Sequence, residues 1–210
     1  MVVASVKTTE TKAGPVILRI GLSDGSLFSL NSVYLPHPFQ GEDYFCPNKE
    51  ITPEEETALR FAADCFRAER AALQLVARAE QTRAGITRKL EQRGHALSPV
   101  RAAVSYLTDL EIVDDRRFAE RWIQSRLYRG TDSPFRLITA LCQKGISQTI
   151  AKSACKTILD FEKETALLQK YIAKKYPPSV NSVRQDRFLK PQLKREGFSP
   201  QALDWYWETQ

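Results

Sequence analysis

A mainly α-helical chain, with three tandem three-helix repeats in an elongated, curved array and a small N-terminal β-hairpin, is the fold this sequence predicts. Three observations predict it. The spacing Leu-x-x-x-Gly followed by a serine occurs at Leu90/Gly94/Ser98, at Leu141/Gly145/Ser147 and at Leu193/Gly197/Ser199, with glycines 51 and 52 residues apart. Strand patterning ends before Thr52. The stretch Ile112-Val-Asp-Asp-Arg-Arg-Phe-Ala-Glu-Arg-Trp122 closes one helical unit and opens the next. Its aspartates accept hydrogen bonds from the free N–H groups of a first turn and lie at the positive end of the helix dipole.

In chain order, Val16–Ile20 and Leu27–Leu30 read as strands flanking Ser23-Asp24-Gly25-Ser26, and Asp-Gly is a strong hairpin signal. Pro36, Pro38, Gly41 and Pro47 mark a connector. A lone two-stranded hairpin is marginally stable, so it should pack on helices or a partner. Thr52-Pro53-Glu54-Glu55-Glu56 is a helix start, and apolar residues recur through Leu59, Ala62, Phe66, Leu73, Val76 and Ala77. A break near Gln81-Thr82 precedes a helix over 83–93, stopped by Gly94, and Ser98-Pro99 starts another. In each repeat an apolar residue stands eight before the glycine (Ile86, Leu137, Leu189). The glycine predicts a left-handed C-terminal cap, and the serine caps the following helix. Long helices are expected over 53–81, 115–129 and 160–176. The corresponding divisions are 1–50 (hairpin and connector), 51–112, 113–159 and 160–210. Pro177-Pro178-Ser179 predicts a bend; two of Trp205, Tyr206 and Trp207 should seal the last repeat, and one left exposed would be a contact candidate.

Composition narrows the chemistry. Of 210 residues, 42% are hydrophobic and 27% charged, the profile of a folded soluble chain. No stretch has the roughly 18 apolar residues of a membrane span, and no secretory leader is evident, so a cytoplasmic location is expected. Cys46, Cys65, Cys142 and Cys155 are scattered, and His37 and His95 stand alone, without zinc-ligand spacing. Four buried, reduced thiols are the simplest expectation. Asp114-Asp115 could be taken for an acid/base or Mg²⁺ pair, but no second acidic cluster or histidine joins it, and capping is the simpler reading. Neither a phosphate-binding Gly-Lys-Ser/Thr loop nor a Gly-x-Ser-x-Gly elbow occurs, so the expectation is a non-enzyme without cofactor or metal.

The net charge is +6, and residues 51–210 carry 27 basic against 20 acidic side chains. Such a body favours polyanions or an acidic partner. Arg83, Arg88, Lys89 and Arg93 lie on one short helix, and Arg117, Arg121, Arg126 and Arg129 on the central one. Lys170, Lys174 and Lys175 end a long helix, with Arg184, Arg187, Lys190, Lys194 and Arg195 beyond. Taken singly, each is simplest as a solvated cation.

The chain resembles the RecX family of bacterial regulatory proteins. The resemblance rests on Ala68-x4-Leu73-x4-Arg78-x3-Thr82, Lys89-Leu90-x3-Gly94, Leu107-x2-Leu110-x-Ile112-Val113-Asp114-Asp115-x2-Phe118-Ala119 and Arg136-x4-Leu141-x2-Lys144-Gly145-Ile146. It covers residues 55–160 well, the C-terminal repeat weakly and the hairpin hardly at all. One departure is Gly85, where the family usually has a glutamate. The resemblance implies a non-enzymatic modulator that binds the groove of the RecA–DNA filament and inhibits ATP hydrolysis, strand exchange and co-protease activity; a monomer is the default expectation. On that basis the candidate surface for filament or DNA is Arg88, Lys89, Arg117, Arg121, Arg126, Arg129, Arg136 and Lys144, with Arg117 and Arg121 foremost. The alternatives are a nucleic-acid-binding helical module acting without the recombinase, and a scaffold for an unrelated acidic protein.

Overall fold

The computed structural model describes residues 1–11, 14–41, 44–176 and 182–209, with the side chains of 10, 11, 14, 15 and 182–187 left out. The bend expected at Pro177-Pro178-Ser179 and the side chains of Arg184 and Arg187 therefore lie outside the described residues. Two compact units divide the chain, Met1–Val113 and Asp114–Gln210.

The first unit opens with a three-stranded antiparallel sheet, β1 (Val3–Thr11), β2 (Gly14–Leu22) and β3 (Leu27–Asn31), in that order. The expected hairpin is β2–β3, with Leu18 opposite Leu30 and Ile20 opposite Phe28. Its turn uses Gly25 at φ +87°, while Asp24 accepts the backbone N–H and hydroxyl of Ser26. The hairpin prediction was one strand short. Val3-Ala-Ser-Val-Lys-Thr-Thr-Glu-Thr carries few apolar residues, because β1 is an edge strand whose outer positions face water.

One helix serves two cores. In α1 (Pro53–Arg78), Leu59 and Ala62 pack with Leu18, Ile20, Leu30, Leu35 and Phe45 against the sheet. Further along, Ala68, Ala72 and Leu75 pack with α2 (Arg83–Gln92) and α3 (Leu97–Asp109) through Ile86, Leu90, Val100, Val104 and Leu107. The buried line runs 59, 62, 66, 69, 72 and 75, leaving Leu73 and Ala77 on the exposed side, contrary to the sequence expectation. Buried Asn31 donates to buried Glu69 at 3.3 Å, tying β3 to α1.

The N-terminus of α1 is locked by a reciprocal cap. Glu55 N–H donates to Thr52 Oγ1 at 3.2 Å, and Thr52 N–H donates to Glu55 Oε2 at 2.8 Å. Tyr44 donates to the other carboxylate oxygen at 2.5 Å, and Lys49 lies 2.9 Å from it. Burial alone would raise the Glu55 pKa, but these donors outweigh it and hold the group at about 2.

The second unit contains α4 (Asp115–Arg129), α5 (Pro134–Gln143), α6 (Gln148–Ile158), α7 (Phe161–Lys175), α8 (Ser182–Arg195) and α9 (Pro200–Glu208). The nine helices among the described residues fall into three groups with one pairing pattern: the first and second helix of each group both pack on the third.

The repeated glycines do what their spacing predicts. Gly94, Gly145 and Gly197 take φ values of +85°, +86° and +88°. In each case two N–H groups return to the helix end. Gly94 bonds Glu91 and His95 bonds Leu90; Gly145 bonds Cys142 and Ile146 bonds Leu141; Gly197 bonds Lys194 and Phe198 bonds Leu193. This double closure satisfies carbonyls that the helix leaves open. Leu90, Leu141 and Leu193 are fully buried beneath it. Ser147 and Ser199 cap α6 and α9 through Ile150 and Ala202. Ser98 does not cap α3, which starts one residue earlier, at Leu97, with Ala96 in the cap position and no side-chain bond.

At Gly85 a Cβ would come within 2.9 Å of Thr82 Oγ1, the atom that accepts the Gly85 N–H at 2.9 Å. The glycine leaves that cap undisturbed.

Candidate functional site

Asp114 caps α4 by accepting the N–H groups of Arg116 and Arg117 at 2.8 and 3.1 Å, and Asp115 occupies the first turn. These roles are structural. Ala119 and Ile123 fix the buried side of α4, so the helical period of about 100° per residue distributes its arginines over two other sides. Arg117, Arg121, Gln124 and Tyr128 share one outward face, where Tyr128 is 93% exposed. Arg126 and Arg129 turn toward the start of α5 instead.

There the second unit encloses a concave, open-mouthed cavity of about 450 Å³, lined by Arg126, Arg129, Arg136, Tyr171, Lys174 and Lys175 together with the loop Gly130–Asp132. Five cations meet one carboxylate. Arg126 gives that carboxylate, Asp132, its Nε and Nη2 at 2.9 and 2.7 Å. Lys175 donates to Tyr171 Oη at 2.6 Å and to Glu196 Oε1 at 3.1 Å. The Tyr171 hydrogen bond raises the Lys175 pKa; burial opposes this, and Glu196 reinforces it. Burial pulls Glu196 upward, but the Ser133 hydroxyl and Lys175 outweigh it and hold the carboxylate below its usual range. Arg129, Arg136 and Lys174 form no ion pair with the described residues.

Arg136 is the anomaly of the set. Arg126, Arg129, Lys174 and Lys175 stand in the last turns of α4 and α7, where the dipole welcomes a cation. Arg136 stands in the first turn of α5, which holds no acidic residue, and a cation there costs about 0.3–1 kcal/mol.

The eight predicted basic residues therefore separate. Arg126, Arg129 and Arg136 converge on the cavity, whereas Arg117 and Arg121 do not line it. Lys144 lies 5.7 Å from the Trp122 ring, which Arg126 also approaches at 5.5 Å. Arg88 and Lys89 belong to the other unit, where Lys89 donates to Gln81 Oε1 at 2.6 Å. Lys174 and Lys175 were visible in the sequence as cations ending a helix, but no spacing tied them to Arg129 or Arg136. Only the packing of α7 beside the α4–α5 loop does so.

The thiols are not all buried. Cys65 and Cys155 are, and burial pushes their pKa values up to about 12 and about 11; Cys46 and Cys142 are exposed. Among the described residues no group of three or more His, Cys, Asp or Glu is placed to hold a metal ion. No described helix is long and apolar enough to cross a membrane.

Residues 114–154, covering α4, α5 and most of α6, match the domain family described as RecX, second three-helix domain. The regulatory protein RecX of Treponema pallidum (strain Nichols) is 29% identical over 156 residues, covering 72% of this chain and 90% of that protein. The regulatory protein RecX of Mycobacterium sp. (strain KMS) is 36% identical over 124 residues, 59% of this chain and 61% of that one. A crystal structure of RecX from Lactobacillus salivarius superposes with a TM-score of 0.54 at 26% identity, covering 68% of this chain and 94% of that one. Another crystal structure of regulatory protein RecX shares the fold across 97% of both chains, with a TM-score of 0.65 at 18% identity. In its helix caps, its three helical groups and these similarities the chain resembles the proteins of the RecX family, and its residues 114–154 match that family's second three-helix domain.

Proposed function

We propose that this protein binds the RecA–DNA filament as a monomer and restrains the recombinase, lowering its ATP hydrolysis, strand exchange and co-protease activity. The reading rests on the resemblance to RecX proteins, and the observation that carries it is the outward face of α4. There Arg117, Arg121, Gln124 and the exposed Tyr128 stand at helical spacing, away from the buried Ala119 and Ile123. Arg88, Lys89, Arg126, Arg129, Arg136 and Lys144 supply further contacts. Cations and an exposed aromatic on a rigid helix suit an acidic protein groove or a phosphate backbone. A filament repeats its surface, so several modest contacts add through avidity and favour the polymer over a free protomer.

The decisive experiment is RecA's DNA-dependent ATPase with and without this protein, at two salt concentrations. Inhibition that weakens at higher salt supports the proposal; an ATPase rate unaffected at either salt overturns it. A module that binds nucleic acid independently of the recombinase is the second reading, favoured by the cation-lined cavity. It predicts tight, steeply salt-dependent binding to naked DNA with little effect on the ATPase.

A further inference from the structure

The cavity beside α5 has properties that a solvated basic surface does not. Its cations come from three separate segments, the end of α4, the start of α5 and the end of α7, and surround one concavity. Two of the five are held by neighbours: Arg126 by Asp132, and Lys175 by Tyr171 and Glu196. Arg129, Arg136 and Lys174 have no ion-pair partner among the described residues. Like charges gathered in a recess repel one another, and Arg136 also opposes the dipole of its own helix. Stability alone would not select that arrangement, and such departures mark functional positions.

We infer that this cavity is a phosphate-binding site, in which Arg129, Arg136 and Lys174 contact the oxyanion while the Arg126–Asp132 and Lys175–Glu196 pairs hold the walls. Guanidinium groups offer paired N–H donors matching two phosphate oxygens, and a lysine adds a mobile point charge. The Glu196 carboxylate also accepts the Ser133 hydroxyl at 2.6 Å, and its backbone carbonyl accepts the Phe135 N–H at 2.9 Å. The wall carrying Arg136 is thereby pinned to the wall carrying Lys175. A nucleic-acid strand and a free polyphosphate such as a nucleoside triphosphate present the same phosphate chemistry to the recess, and the test distinguishes them. This inference goes beyond the filament reading and does not depend on it.

The test uses the full-length protein without recombinase. Binding of inorganic tripolyphosphate, ATP and a labelled oligothymidylate of about 20 nucleotides is measured at about 50 and about 200 mM NaCl. The probes are applied to the wild type, to the double variant Arg129→Gln/Arg136→Gln, to Lys174→Gln and to the control Lys152→Gln, an exposed cation of α6 that does not line the cavity. The cavity variants should bind the preferred probe about tenfold more weakly, with a shallower salt dependence, while the control changes by less than about twofold. Because the three cavity cations are exposed, the variants should keep the wild-type circular dichroism and melting profile. Binding of tripolyphosphate and ATP assigns the site to a free polyphosphate, and binding of the oligonucleotide alone assigns it to a strand. The inference is overturned if no probe binds, if Lys152→Gln weakens binding as much as the cavity variants do, or if polyglutamate competes as well as phosphate. The last result would identify an acidic protein surface as the ligand. Loss of phosphate binding with retained ATPase inhibition, or the reverse, separates this site from the filament activity.

Discussion

Ser133 and Glu196, 63 residues apart in sequence, meet in a 2.6 Å hydrogen bond, the hydroxyl donating to Oε2. The same carboxylate receives Lys175 on its other oxygen, and the Glu196 carbonyl receives the Phe135 N–H. One residue at the end of α8 thus fastens the start of α5 and the end of α7. Ser133 is itself the cap of α5 and fully buried. Ser133→Ala should cost about 1–2 kcal/mol, because it removes a cap and leaves a half-buried carboxylate oxygen short of a donor. A urea titration checks this, and a loss below about 0.5 kcal/mol would show the tie to be incidental.

Acid should weaken the first unit through Glu55. Its pKa is depressed from the ordinary 4.5 to about 2, so the stability it contributes is complete above pH 4.5. That contribution fades as pH falls from 4.5 towards 2, and linkage puts it at roughly 3 kcal/mol. Glu55→Gln should lower stability at neutral pH and flatten the pH dependence in that window. Urea midpoints followed by circular dichroism between pH 7 and pH 2.5 report both effects; parallel curves for variant and wild type would contradict the assignment.

The repeated glycine caps should not be equally sensitive. At Gly94 an added Cβ meets nothing within 4 Å, so Gly94→Ala carries only the cost of a left-handed alanine, about 1–2 kcal/mol. At Gly197 the Cβ would stand 3.1 Å from the Phe135 backbone nitrogen and 3.4 Å from Pro134 Cβ. Gly197→Ala should be the more destabilising by about 1 kcal/mol or more. Thermal melts of the two single variants decide the order.

Charge reversal on the outward face of α4, Arg117→Glu with Arg121→Glu, should raise the concentration needed for half-inhibition of the RecA ATPase by about tenfold. The melting profile should stay close to wild type, since neither side chain is part of a hydrophobic core. Wild-type inhibition by this variant would remove the α4 face from the proposed contact.

Thiol reactivity should divide by burial. Cys46 and Cys142 should react with a chromogenic disulfide reagent in the native protein, and Cys65 and Cys155 only after denaturation. Burial keeps the latter pair protonated at neutral pH. Four thiols reacting together in native buffer would contradict the packing around Cys65 and Cys155.

What the sequence determined by itself was local. Gly94, Gly145 and Gly197 announced their positive φ, Thr52 and Asp114 their caps, and Asp24-Gly25 its turn, because backbone conformation and capping depend on residues within a few positions of one another. Where long-range packing decided the outcome, sequence reasoning fell short. β1 was missed because an edge strand needs few apolar residues, and the buried line of α1 shifted away from Leu73 because the sheet and α3 choose its contact face. The predicted cations separated for the same reason. Sequence placed Arg129, Arg136 and Lys174 on three different segments, and only tertiary packing, secured by the Ser133–Glu196 bond, brings them to one cavity.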